Sequence, residues 1–532
     1  MQQFEFVFLL LLLFVVGLGT LAQWLKTPYP IVLVIGGLLL SLVPGLPRLA
    51  LDPDLIFLVM LPPLLFSAAF NTSWRDFRYN LTSILPLAFG LVAFTTIAVG
   101  ITAQWLLPGF DWRLGLVLGA VISPTDALAA TSIAKRVGLP KRITDILEGE
   151  SLVNDASGLL AMQFAVAMVV SGHTPSAAKA LWQLTYLVAG GIAVGLVFGK
   201  LVYLFETWID NPPIEITASI VALYWAYLFA YRIQASGVLS VVACGLYLGW
   251  RSSAYFSSTA RIQSWATWNT FTFILNGLAF LLIGLQLRYV IAGIRHVSLE
   301  TLVVSAVVVV FFVILLRLAW VYPGAYLSSV ATRKFLKQPT PLSSARGIFI
   351  VGWTGMRGVV SLAAAVSLPE VLENGKPFPA RDMIIFLTFC VIFVTLVLQG
   401  LTLPALIRRL GLSRKDEKNP EEQSARRKII RSAMEQLDDM RSHDKPEFSS
   451  VYEHVAEHYR ARLAAAGDES DGTEEFKPEA AELYRQITQK LREVERSTAV
   501  KLRNENEIND AVLRKLELEL DLLDIRYQGF KR

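Results

Sequence analysis

Apolar runs follow one another through the first 410 residues with only short breaks, and this constrains the fold more than any other feature of the chain. A bilayer core needs about 20 apolar residues per helix, and on that ruler about thirteen spans are expected. They run approximately over 4–21, 30–45, 54–70, 81–107, 113–135, 143–171, 179–205, 215–232, 236–250, 265–288, 299–330, 346–368 and 382–410. Hydrophobic residues make up 54% of the 532 and charged residues 17%, against about a quarter in a soluble protein. Nearly half of the Lys, Arg, Asp and Glu fall after Gly411. The expected architecture is an all-α polytopic membrane domain over 1–410 and a helical soluble tail over 411–532.

The basic connections, KRVGLPKR (Lys135 to Arg142) and the loop with Arg333, Lys334 and Lys337, belong on the cytoplasmic side. ENGKP (Glu373 to Pro377) is mixed, and SGHTPSAAK carries little charge. Thirteen spans then put the N-terminus outside and the tail in the cytoplasm of a cell whose inner membrane holds the chain. DNPPIE (Asp210 to Glu215) is an acidic exception on the inner side. The N-terminal run lacks a basic flank and a cleavage site, so it is expected to stay as the first span. No basic run alternates with exposed aromatics, which gives nucleic-acid binding no support. Cys244 and Cys390 lie in apolar spans as packing residues, and no cofactor or transition-metal site is implied. In the tail, KIIRSAMEQLDDM, AELYRQITQKLREVE and AVLRKLELELDLLDIRY read as helices, with SHDKP and GDESDGTEEFKP as linkers. His443, His454 and His458 are read there as a solvated helix face.

Two spans are interrupted. In LVLGAVISPTDALAATSIAK, Pro124 removes a backbone donor and Asp126 can cap a second half-helix beginning at ALAATSIA. FIVGWTGMRGVVSLAAAV is loosened by Gly352, Gly355 and Gly358 and carries Arg357 at its middle. Interrupted spans in corresponding positions of two halves point to a transporter site, and these are placed symmetrically if span seven links two six-span repeats.

GESLVNDASGLLAM (Gly149 to Met162) opens another apolar run with Glu150, Ser151, Asn154 and Asp155. A carboxylate at membrane depth costs roughly 2.5–3.5 kcal/mol even on forgiving insertion scales, so these residues need a function. In a helix Ser151 and Asp155 share one face, and Glu150 and Asn154 the adjacent one. A hydroxyl and a carboxylate suit one small hard cation, and Asp155 can also take up a proton. A single carboxylate that holds either is an exchanger in its simplest form. Glu150 needs a cationic partner, either Arg317 or Arg357, with Arg317 preferred. If that partner is an arginine, which keeps its proton, only Asp155 titrates and exchange is one proton for one cation.

LPPLLFSAAF (Leu61 to Phe70), SPTDALAA, LEGESLVNDASG and GMRGVVSLA, in this order, resemble the monovalent cation:proton antiporter-1 family of sodium/proton exchangers. The resemblance covers about the first 410 residues. It implies a thirteen-span inverted-repeat fold, a homodimer, a core of spans over about 81–171 and 299–410, and elevator-like alternating access. By the family pattern Asp155 is the cation/proton carboxylate, with Ser151 and the Thr125 backbone as co-ligands. Asn154 and Asp126 satisfy the helix breaks, Arg357 balances charge at the crossing, and Glu150 pairs with Arg317. Some members carry an acidic residue where this chain has Ser67. The implied activity is exchange of Na+, with Li+ or K+ as further candidate ions, for H+. K+/H+ exchange is the alternative. A channel would want a repeated pore loop, and an intramembrane aspartyl protease would need Asp126 and Asp155 to share a proton; neither pattern is evident.

Overall fold

The computed structural model describes residues 2–43, 53–172, 176–209, 211–256, 258–294, 297–336, 344–372, 375–413, 420–443 and 449–465, with isolated positions beyond. The chain divides into two compact units, Met1–Lys415 and Asp416–Arg532. Asp210, Lys337, Glu373, Asn374, the linker GDESDGTEEFKP, most of SHDKP and the tail helix expected over 511–527 lie outside the described residues. So does the tail helix expected over 481–495, except Glu495.

In the first unit every regular element among the described residues is helical; the only extended pairing is an isolated bridge between Val371 and Pro377. The helices are α1 (Gln2–Trp24), α2 (Tyr29–Ser41), α3 (Leu61–Asn71), α4 (Trp74–Leu85), α5 (Val92–Leu106), α6 (Trp112–Ile122), α7 (Ala127–Val137), α8 (Lys141–Ser171), α9 (Ala177–Glu206), α10 (Pro212–Arg232), α11 (Gly237–Tyr255), α12 (Ser258–Leu285), α13 (Leu287–Gly293), α14 (Leu299–Ala331), α15 (Ala345–Trp353), α16 (Val359–Val366), α17 (Arg381–Val394) and α18 (Gly400–Arg409). Among the described residues nine helices are long and apolar enough to cross a membrane, and Tyr29–Ser41 and Leu55–Asn71 are shorter apolar helices. The chain is thus an all-helical, multi-pass membrane protein.

Boundaries differ from the hydropathy reading where a polar turn extends an apolar helix. The span expected from residue 81 starts at Trp74, because Ser73 accepts the Asp76 N–H at 3.3 Å and the amphipathic turn WRDFRYN continues the helix. Short π-helical turns join α4 to α5 (Pro86–Leu91) and α17 to α18 (Thr395–Gln399) without ending the long helices.

Within the bilayer, close packing rather than water exclusion holds helices together, so small residues mark the tightest crossings. Gly119 of α6 faces α5 so closely that a Cβ there would stand 2.8 Å from the Thr96 Cα. Gly284 of α12 meets α2 in the same way, 2.6 Å from the Leu38 nitrogen. The buried core runs from α6 and α8 through α14 to α17, and the two interrupted helices lie inside it.

The second unit contains α19 (Pro420–His443) and α20 (Ser449–Ala465), packed on each other. KIIRSAMEQLDDM lies within α19; α20 is a helix the sequence reading did not single out. Glu453 accepts from Arg441 at 3.2 Å and from Arg460 at 3.0 Å. The side chains of His454 and His458 lie outside the described residues.

Candidate ion-binding site at the helix crossing

α6 ends at Ile122 and α7 begins at Ala127, with Ser123–Pro124–Thr125–Asp126 outside both helices and Asp126 extended. Pro124 supplies no N–H, and Asp126 restarts the helix: its Oδ1 accepts the Leu128 N–H at 2.8 Å. The second interruption separates α15 from α16 over Thr354–Gly358. The two breaks meet, because the Asp126 N–H donates to the Met356 carbonyl at 2.8 Å. Arg357 spans them, its Nε donating to the Ile122 carbonyl at 2.6 Å and another guanidinium N–H to the Gly355 carbonyl. Its own main-chain N–H is taken by the Thr395 hydroxyl at 3.2 Å, in the π-helical turn of the last long helix. A guanidinium at two freed carbonyls satisfies the negative ends of α6 and α15 where no water can.

α8 passes beside this crossing and brings the ESLVND residues to it. Glu150 is 1% exposed and Arg317 of α14 is 2% exposed. They form a two-pronged ion pair at 2.5 and 2.9 Å. Arg317 also donates to the Val351 carbonyl from Nε (3.3 Å) and from a terminal nitrogen (3.0 Å), tying α8, α14 and α15 together. The Thr125 hydroxyl gives its one proton to Glu150 Oε1 at 3.0 Å. It must then accept its remaining contact, from Asn154 Nδ2 at 2.6 Å, which fixes the orientation of the Asn154 amide. The Asn154 Oδ1 is buried and has no hydrogen-bond partner among the described residues. Ser151 Oγ accepts the Ala127 N–H at 3.3 Å, at the start of α7. Ser157 locks α8 onto the Pro86–Leu91 turn by donating to the Ala88 carbonyl at 2.5 Å.

Asp155 differs from all of these. It is 7% exposed, and its carboxylate carries no hydrogen bond or ion pair among the described residues. Asp126 is the charged group near enough to act on it, and that charge has the same sign. A cavity of about 520 Å3 reaches the next turns of α8 at Ala156, Ser157 and Leu159. Its other walls come from α9, α10, α11 and the segment before α3, and Asp54 is the charged side chain in its lining.

The arrangement therefore separates two carboxylates one turn apart on α8. Glu150 is saturated by Arg317 and Thr125, whereas the Asp155 carboxylate has no partner among the described residues. The Thr125 hydroxyl joins Glu150 to Asn154, which leaves its main chain, the part the family pattern implies, for any bond to an ion. Three groups at the crossing carried no sequence signal. The carbonyls of Met356 and Val351 act through main chain common to every residue, and Thr395 is a hydroxyl in an apolar helix, where such residues are ordinary.

The pattern of transmembrane sodium/hydrogen exchangers matches residues 10–409. The chain belongs to the sodium/hydrogen exchanger family. A Na+/H+ exchanger of Mycobacterium tuberculosis, itself uncharacterised, is 34% identical over 505 residues, covering 93% of this chain and 91% of that protein. A sodium, potassium, lithium and rubidium/H+ antiporter of Bacillus pumilus is 33% identical over 450 residues, covering 82% of this chain and 65% of that protein. The fold is similar to that of the sodium proton antiporter MjNhaP1 from Methanocaldococcus jannaschii, with a TM-score of 0.57 at 20% identity over 77% of this chain and 98% of that one. The exchanger is a transporter and not an enzyme. The aspartyl protease alternative falls with that, and Asp126 is in any case occupied as a helix cap.

Proposed function

We propose that this exchanger moves one Na+ against one H+ by alternating access, with Asp155 holding either ion in turn. The observation that carries the reading is the contrast on α8: Glu150 is fully paired, whereas Asp155 is buried and without a partner among the described residues. A hard monovalent cation prefers oxygen ligands, and Ser151 and the Thr125 main chain supply further oxygens on the elements that flank Asp155. With Glu150 bound to an arginine that keeps its proton, one carboxylate titrates per cycle and the exchange is electroneutral. Asp126, Asn154 and Arg357 hold the crossing in shape, and the Glu150–Arg317 pair fastens α8 to the later helices.

A second ion is favoured by one observation. The Bacillus pumilus relative is named for potassium, lithium and rubidium as well as sodium, so K+/H+ exchange is the companion reading. We assign the membrane domain to 1–410, with thirteen crossings, related halves and the moving core over about 81–171 and 299–410. The working form is a homodimer in the cell membrane, N-terminus outside, with 411–532 as a cytoplasmic tail that regulates exchange or joins protomers. The basic loops support that orientation. The test is exchange in proteoliposomes. Asp155→Asn should abolish cation-dependent proton movement for Na+, Li+ and K+ alike while the protein purifies folded. Exchange that survives in this variant removes Asp155 from the mechanism.

A further inference from the structure

The Asp155 carboxylate has no partner among the described residues, so its place is set by whatever holds α8. One hold is the Glu150–Arg317 pair. The other is Ser157, whose hydroxyl donates at 2.5 Å to the Ala88 carbonyl in the π-helical turn Pro86–Leu91. That hydroxyl has one proton, and its longer contact, 3.0 Å to the Asn154 carbonyl, stays within its own helix. Glu150 and Ser157 are about two helical turns apart, so they stand on one face of α8, separated by about 10 Å along its axis. Asp155 points about 140° round from that face.

The turn that Ser157 grips is itself held from α14. Trp320, about one helical turn after Arg317, donates its indole N–H to the Pro86 carbonyl at 2.9 Å. Its ring stacks on Phe94 of α5 with centroids 4.9 Å apart. Gly90 leaves the ring its room, since a Cβ there would stand 2.6 Å from Trp320 Cζ2. Both holds on α8 therefore end on one face of α14, at Arg317 directly and at Trp320 through the turn. Phe89 of the turn lines the cavity of about 520 Å3 together with Ala156 and Ser157. π-Helical turns inside long helices recur at functional sites.

A rod fixed at one point can still turn about it. With Ser157 released, α8 can swing about the Glu150–Arg317 pair, and a carboxylate carried on another face of the helix is displaced. We propose that Trp320 is a positioning residue for exchange: through the Pro86–Leu91 turn and Ser157 it fixes the Asp155 carboxylate relative to the Thr125 main chain, and so sets how tightly the cation is held. This rests on the reading of Asp155 as the ion-binding carboxylate.

The test is exchange in proteoliposomes across Na+ concentration, with the thermal midpoint of the same full-length proteins measured alongside. Trp320→Phe keeps a ring against Phe94 and loses the N–H. It should raise the half-saturating Na+ concentration roughly three- to tenfold, the worth of one hydrogen bond, against a smaller change in the saturated rate. Ser157→Ala should do the same, and Ser157→Thr, which keeps the hydroxyl, should not. Trp320→Phe/Ser157→Ala should be no worse than the more affected single variant, because the two act along one chain of contacts. If Trp320→Phe does not fold, Gly90→Ala, which forces the indole off the turn, carries the same expectation. A lowered thermal midpoint with unchanged half-saturation, or fold-changes that multiply in the double variant, overturns the proposal. Retained exchange in Asp155→Asn would instead remove the transport reading on which it rests, whatever Trp320→Phe shows.

Discussion

Replacing Arg317 with methionine tests the division of labour on α8. The substitution keeps an unbranched apolar stem, shorter than the arginine, and removes five donors, two of which hold Glu150 at 2.5 and 2.9 Å and two of which reach the Val351 carbonyl. Glu150 is then a carboxylate at 1% exposure with only the Thr125 hydroxyl beside it. Breaking a buried ion pair from one side costs about 3–5 kcal/mol, because the remaining charge is stranded. Adding Glu150→Gln removes the stranded charge, so the double variant should lose only about 1–2 kcal/mol, chiefly for the orphaned Val351 carbonyl. Adding Glu150→Gln should therefore restore about 2–3 kcal/mol to the Arg317→Met protein. Unfolding by increasing SDS in mixed micelles, followed by tryptophan fluorescence, measures all four corners of the cycle. A double variant no more stable than Arg317→Met would refute the idea that the pair exists to neutralise Glu150. A second readout separates structure from transport: proteoliposomes containing the folded double variant should still exchange, since Asp155 is untouched.

Further expectations concern the crossing, the energetics of transport and the tail. Asp126→Asn, which keeps an acceptor for the Leu128 N–H, should retain most exchange, whereas Asp126→Ala removes the cap, costs about 1 kcal/mol and should slow exchange in the same vesicles. Gly358→Ala places a Cβ 2.6 Å from that of Asp126, so it should lower both the thermal midpoint and the exchange rate; unchanged values would mean that the breaks are loosely packed. Imposing a potassium-diffusion potential with valinomycin on vesicles exchanging Na+ should leave the equilibrium pH gradient unmoved, and a clear shift would refute one-for-one exchange. In the tail, the hydrogen bond and charge of Arg460 hold the Glu453 carboxyl below its ordinary range. A depressed carboxyl stabilises at pH above its unfolded value and stops doing so as pH falls through the folded one. The protection of the α20 amides, taken relative to their intrinsic exchange rates, should therefore fall on acidification below the usual glutamate range, and Arg460→Gln should weaken that pH dependence, leaving the part due to Arg441.

The apolar runs, the break at Pro124 and the polar head of α8 were legible because each involves a residue type that a membrane helix otherwise avoids. Asp126 could be read as a cap because proline and aspartate together leave the chain little else to do. Spacing alone did not fix which arginine meets Glu150, since both Arg317 and Arg357 lie in apolar context; helix packing decides it. The bond from Asp126 to Met356 joins positions 230 residues apart through main-chain atoms, and nothing in a side chain announces it. The start of α4 was missed because a hydropathy window cannot see an amphipathic turn. Glu215 was read as a loop charge because an acidic residue beside two prolines ordinarily faces water. Here Pro212 and Pro213 start α10 early enough to carry the glutamate inside.

The hydrogen bond between the two interruptions has a consequence for how the protein is made. A broken helix in lipid leaves polar backbone groups that hydrocarbon cannot satisfy. The Asp126 N–H finds its acceptor in Met356, and the Ile122 carbonyl its donor in Arg357. During synthesis, residues 112–137 reach the membrane more than two hundred residues before either partner exists. Until then the first half must keep its break wet, or shielded by the insertion machinery, and a chain truncated before residue 356 should be a substrate for quality control rather than a smaller transporter.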